Sequence, residues 1–129
     1  MNFTLIVHST PDAGGGAHSA LRFAEAAHRN GHHLQQVFFY HDGVMNALAS
    51  RVSPQDESEL LTAWQSLAAS TGVQLAVCIA AASRRGVLDV GEAERLERFA
   101  TLAPPFELAG LGQLIEAVMD GGPCITFVD

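Results

Sequence analysis

VQLAVCIAAASRRGV, residues Val73 to Val87, is an apolar run that ends in two arginines, in a chain that contains no lysine. In an extended strand Ala76, Cys78 and Ala80 share one face and Leu75, Val77 and Ile79 the other, so both faces are apolar. A strand apolar on both faces belongs inside a parallel sheet covered by helices. The stretch therefore predicts a strand over Val73–Ala80 that turns into a short helix over Ala81–Gly86.

The flanking chain repeats the alternation of strand and helix. Phe3–His8 is a β-branched strand, followed by a glycine-rich turn and a helix over Ala17–His28 with Ala20, Leu21, Ala24 and Ala27 on one stripe. Leu34–Tyr40 is the next strand, with its exit marked by His41-Asp42-Gly43. Ser53 and Pro54 read as a helix start with Asp56 and Glu57 in the first turn. That helix carries Leu60, Leu61, Trp64, Leu67 and Ala68 on one face and stops at Gly72. Gly91–Phe99 is a polar helix, Pro105–Ala109 a short strand, Leu111–Met119 an amphipathic helix and Cys124–Val128 a last buried strand. Strands joined through right-handed helical crossovers give an α/β three-layer sandwich with a mainly parallel sheet of about five strands flanked by helices.

At 129 residues and 48% hydrophobic, the whole chain, residues 1–129, suffices for one domain with one core. A net charge of −7, with arginine supplying all seven basic residues, argues against a direct nucleic-acid surface. MNFTLIVHST lacks a basic leader, and no apolar run approaches the roughly 18 residues that a membrane span needs. The expectation is a cytoplasmic protein with no membrane contact. Two cysteines without a Cys-x-x-Cys pair point to reduced thiols rather than a disulfide or zinc framework.

Parallel sheets place their working residues beyond the carboxyl ends of the strands, which directs attention to the loops after His8, Tyr40 and Cys78. Small neighbours leave room around the Cys78 sulfur, and a following helix start with Arg84 or Arg85 nearby would favour a thiolate. Against this, a free cysteine is commonly a small buried hydrophobe, so a reactive and a packed Cys78 both stand at this point. Cys124, beside Ile125, Phe127 and Val128, reads as core. The loop PDAGGGAHS, Pro11–Ser19, lacks both the Walker lysine and the third dinucleotide glycine, and reads as a flexible loop. His28, His32 and His33 are interrupted by Gly31 and lack a carboxylate to complete a metal site. Tyr40 and His41 lie at a strand exit and could meet a partner or the sulfur site, although Asp42-Gly43 is also an ordinary turn signal.

VFFYHDGV, the AWQ of the middle helix, VCIAAASRRGVLDVGEAERL and LAGLGQLIEAVM together resemble the DsrE/TusD group of small sulfur-relay proteins, collinearly over nearly the whole chain. The resemblance implies a cytoplasmic sulfurtransferase subunit that accepts sulfane sulfur as a persulfide on Cys78. It implies an upstream and a downstream sulfur-carrier protein as partners, and two smaller homologous subunits in a heterohexamer, two copies of each. The sulfur would serve tRNA 2-thiouridine synthesis or dissimilatory sulfur oxidation. It implies no cofactor beyond the transient cysteine persulfide, and no metal. The alternative is a non-catalytic assembly subunit in which Cys78 is packed. Assembly is also suggested by the apolar helix faces around Trp64 and Leu114, which offer more hydrophobic surface than one small sheet obviously covers.

Overall fold

The computed structural model describes residues 1–55 and 59–129. Five strands, β1 (Asn2–Val7), β2 (His33–Phe39), β3 (Gln74–Cys78), β4 (Glu107–Ala109) and β5 (Cys124–Phe127), form one sheet in the order β4-β3-β2-β1-β5, every pair parallel. The helices are α1 (Gly16–Arg29), α2 (Leu60–Thr71), α3 (Ile79–Arg84), α4 (Val90–Leu96) and α5 (Leu111–Met119), and a 3₁₀ segment covers His41–Ala47. The α/β class, the parallel sheet and the flanking helices agree with the sequence reading.

One face of the sheet carries Leu5, Val7, Val37, Phe39, Leu75 and Val77, all almost fully buried. Their register aligns them in rows, Leu5 beside Val37 beside Leu75 and Val7 beside Phe39 beside Val77. Against this face α1 sets Ala17, Ala20, Leu21, Ala24 and Ala27, whose small side chains let it approach closely. Beside α1, α2 inserts Trp64, which is wholly buried and meets Phe39 edge to face at 5.1 Å. The apolar face around Trp64 is thus spent on the chain's own core and is not the spare surface the sequence suggested.

The opposite face is crossed by α5, and that helix is reversed. Its inward side is mostly polar: Gln113 approaches Gln74 at 3.4 Å, Asp120 approaches Gln35 at 3.3 Å, and Gln36 donates to Gln74 at 2.8 Å beneath it. Ala117 is its one buried residue and Leu114 is half-buried, whereas Leu111, Ile115, Val118 and Met119 face outward. The exposed apolar surface expected near Leu114 is therefore the outer stripe of α5.

Several boundaries differ from expectation. α2 begins at Leu60, not at Ser53-Pro54, and the Asp56 and Glu57 positions lie outside the described residues. Ser53 instead meets the Arg51 guanidinium at 3.4 Å. Val52 is 82% exposed and Pro54 is exposed too, so the positions around Pro54 offer no packing to hold a helix. Gly72, left-handed at φ 74°, closes α2 as expected. α4 starts on the Asp89 side chain, which accepts from the Glu92 amide at 2.8 Å, and ends at Leu96 rather than Phe99. β5 is an edge strand, not a buried central one, and Cys124 is exposed rather than core. A strand at the sheet's edge is covered on fewer sides, whatever its hydrophobicity.

Replacing Trp64 by Ala removes the largest fully buried side chain. The variant should lose about 3–5 kcal/mol of stability in urea unfolding, as large-to-small core changes of aromatic residues do.

Candidate functional site

The strand-to-helix junction at Cys78 comes earlier than the sequence indicated. β3 stops at Cys78 and α3 begins at Ile79, so Ala80 belongs to the helix and not to the face of Ala76 and Cys78. The ladder explains this. β4 is three residues long and pairs with β3 only as far as Cys78 opposite Ala109, and β2 has ended one residue earlier with Phe39 opposite Val77. Beyond Cys78 the chain has no partner strand, and helix satisfies its backbone groups instead.

Cys78 thus sits at the carboxyl edge of the sheet, in the cap position of α3, with its side chain making no cap hydrogen bond. The residue is 3% exposed and lies at the floor of a cavity of about 290 Å³. Tyr40 and His41 form one wall, Arg84 and Arg85 another, and Gly110 and Leu111 at the start of α5 the third. All five site residues singled out from the sequence, Cys78, Arg84, Arg85, Tyr40 and His41, therefore line one cavity. A larger hollow of about 570 Å³ lies at the other end of β3, among Gln65, Gly72, Gln74 and Glu107, and holds no nucleophile.

The two arginines differ. Arg85 is held: its Nε donates to Asp42 at 3.0 Å and its Nη1 to the Ala81 carbonyl at 3.0 Å, so it ties α3 to the 3₁₀ segment and its charge is partly matched. Arg84 is exposed and makes no ion pair among the described residues. The positive charge offered at the mouth is chiefly that of Arg84. α3 is six residues long, so the aligned peptide dipoles expected to help a thiolate are those of a short helix.

The 3₁₀ segment was not anticipated. Gly43 packs so tightly on the Val7 carbonyl that a Cβ there would overlap it, while the Tyr40 amide donates to that same carbonyl at 3.0 Å. This close approach brings the end of β1 beside the segment. His8 consequently lies with its ring centroid 4.9 Å from His41 and 5.6 Å from Tyr40, and Tyr40 and His41 are themselves 4.3 Å apart. His41 has φ 49°, a left-handed backbone unusual for a residue with a side chain. Burial first, and then the neighbouring His41, push the His8 imidazole below its ordinary value. The sequence flagged the loop after His8 but not the His8 ring, because the contact depends on how closely β1 and β2 end together.

The remaining candidates fall elsewhere. Cys124 is on the far edge strand, and partial burial pushes its thiol up, which disfavours the thiolate. In the first loop, Gly16 abuts the Ser9 hydroxyl and the Val128 carbonyl with no space for a Cβ, so this glycine serves close packing. His32 packs edge-on against Phe3 at 5.5 Å, and its Nδ1 lies 2.8 Å from the N-terminal amine.

Known proteins resemble this chain over its length. The profile described as the DsrE/DsrF-like family matches residues 1–127. A Pseudomonas aeruginosa protein named sulfurtransferase TusD homolog is 47% identical, over 98% of this chain and 97% of its own. A DsrE protein of Allochromatium vinosum is 41% identical over the full length of both chains. Among solved structures, the ychN protein from E. coli superposes with a TM-score of 0.79 at 18% identity, covering 98% of this chain and 100% of that one, which speaks for the fold alone.

A lowered His8 value carries a stability consequence. The unfolded chain takes up the His8 proton more readily than the folded one, so this contribution is complete above the ordinary histidine value of about 6.5 and is lost as pH falls below it. Thermal unfolding of the His8→Asn variant should therefore show a shallower loss of stability between neutral and mildly acidic pH than the native chain shows.

Proposed function

The chain belongs to the DsrE/DsrF-like family, and on that premise we propose that it is a persulfide-carrying sulfurtransferase subunit of a sulfur relay, with Cys78 the residue that takes up and surrenders the sulfur. The observation that carries this reading is the placement of Cys78 at the floor of a cavity walled by Tyr40, His41, Arg84 and Arg85, while the other cysteine lies on a remote edge. Transfer needs a single thiolate. It attacks the outer sulfur of a donor persulfide, the donor's S–S bond breaks, and the donor leaves as a thiol; a second carrier's thiolate later attacks the outer sulfur of the Cys78 persulfide and displaces Cys78. Each exchange forms one S–S bond and breaks one, so no oxidant, metal or resident cofactor is required.

Upstream and downstream carriers supply the two partner thiols, and Arg84 at the mouth offers charge to an anionic thiolate or persulfide. Hand-over of sulfane sulfur is common to the tRNA-thiolation and sulfur-oxidation branches of the family resemblance, and it is the step proposed here. The net charge of −7 favours protein carriers over direct contact with RNA. A second reading, an assembly subunit with Cys78 packed, draws on the 3% exposure of that residue.

Incubation with a small-molecule persulfide followed by intact mass separates the two. The native chain should gain one sulfur, Cys78→Ser should gain none, and Cys124→Ser should load normally with a modest loss of stability. Equal loading of Cys78→Ser removes Cys78 from the role. A Cys78 inert to both persulfide and alkylating reagent supports the assembly reading.

The chain works, on this proposal, in a heterohexamer with two smaller homologous subunits, two copies of each. The support is the outer stripe of α5, where Leu111, Ile115, Val118 and Met119 are 48%, 57%, 40% and 79% exposed. Permanent interfaces are more apolar than the rest of a protein surface. Ile115→Glu, on the exposed side, should leave the fold intact yet reduce the complex co-expressed with its neighbouring subunits to smaller species in light scattering. A chain that is monomeric in every preparation and fully active in transfer would refute assembly.

A further inference from the structure

We propose that His8 and His41 form a pair that holds a single proton on behalf of Cys78, with His41 as the proton acceptor and donor in sulfur transfer and His8 as its positioning partner. This rests on the persulfide reading above and adds a proton path to it.

The lining of the Cys78 cavity leads to His41 by elimination. Its other ionisable side chains are Tyr40, Arg84 and Arg85. Arginine stays charged throughout the working range and tyrosine stays protonated, so neither exchanges a proton near neutrality, whereas an imidazole does. His41 is held where it is at some cost. Its backbone is left-handed at φ 49°, and its exposed ring lies 4.3 Å from that of Tyr40 and 4.9 Å from that of His8. Non-glycine residues in this region of backbone space cluster at functional sites because the surrounding structure must impose the conformation.

His8 contributes from the end of β1, and the Gly43–Val7 contact brings it within reach. Two imidazoles at this separation do not readily both carry charge. Burial and the His41 ring together lower His8, which favours the neutral form of that ring. The charged groups facing His41 are Arg84 and Arg85 across the cavity and Asp42 beside it, the last engaged by Arg85.

The step balances. The Cys78 thiol gives its proton to the His41 ring as its sulfur attacks the outer sulfur of the donor persulfide. The new S–S bond forms at Cys78, the donor's S–S bond breaks, and the His41 proton passes to the departing donor sulfur. Donor persulfide and Cys78 thiol become donor thiol and Cys78 persulfide, with no net oxidation.

The test is the pH dependence of Cys78 alkylation by iodoacetamide in a Cys124→Ser background, measured without sulfur, together with the rate of loading from a small-molecule persulfide. His41→Asn is the informative variant, since asparagine accepts a left-handed backbone and does not titrate. His8→Phe keeps an aromatic ring against Tyr40 and His41 but carries no proton. The native profile should show a step in the neutral range besides the thiol ionisation. His41→Asn should abolish that step and slow loading about 100-fold, at the low end of general acid–base effects. His8→Phe should move the step to lower pH, because the proton the pair shared is then left to one imidazole. Unchanged profiles and loading in His41→Asn overturn the proposal, and an unmoved step in His8→Phe removes His8 from it. Failure of the native chain to load any sulfur overturns the persulfide reading instead, and the alkylation profile still decides whether the histidines serve the thiol.

Discussion

The end of the parallel ladder at Cys78 is the constraint on which the rest of the site depends. β4 offers only three residues to β3, the last of them Ala109 opposite Cys78. The next residue has no strand to pair with, so the chain satisfies its amides by coiling at once into α3. Cys78 is left with its backbone in the sheet and its side chain at the point where sheet becomes helix. A longer β4 would have drawn Ile79 and Ala80 into the ladder and buried the cysteine below the edge.

Parallel pairing then gathers the other groups without any local signal between them. Strands that all run one way finish at one edge, so His8, Tyr40 with His41, and Cys78 come together although they are distributed over 71 positions of the chain, from 8 to 78. Two contacts convert that neighbourhood into a cavity. Gly43 lets the 3₁₀ segment lie directly on the Val7 carbonyl, and Arg85 binds that segment's Asp42 while holding the Ala81 carbonyl of α3. An exposed ion pair of this kind adds little to stability. Its consequence is positional, since it fixes one arginine as a strut and leaves Arg84 to face solvent.

The reversed α5 joins the site to the molecular surface. Gln113 and Asp120 meet the polar row of Gln74, Gln36 and Gln35 on the sheet, so the apolar side chains of the helix point away from its own domain. Leu111 opens that outward stripe and also lines the Cys78 cavity. A protein seated on the stripe would therefore lie beside that cavity.

The sequence by itself determined the α/β class, the parallel pairing and the strand on which Cys78 lies, because continuous apolarity over short runs such as LAVC and VFF is satisfied inside a covered sheet. It also determined the helical stripes of α1 and α2, whose period is local. What only the tertiary structure decided were features set by distant partners. The exposure of Cys124 follows from strand order, which its own apolar neighbours do not encode. The start of α2 at Leu60 coincides with a buried residue, and the proline cue at the exposed Pro54 carried no packing to support it. The inversion of α5 follows from the glutamines beneath it, and the approach of His8 to His41 follows from a glycine in β2's exit meeting a carbonyl of β1. Periodicity reports which face of an element is apolar. Only the packed sheet decides which way that face is turned, because burial is a property of the neighbours and not of the segment.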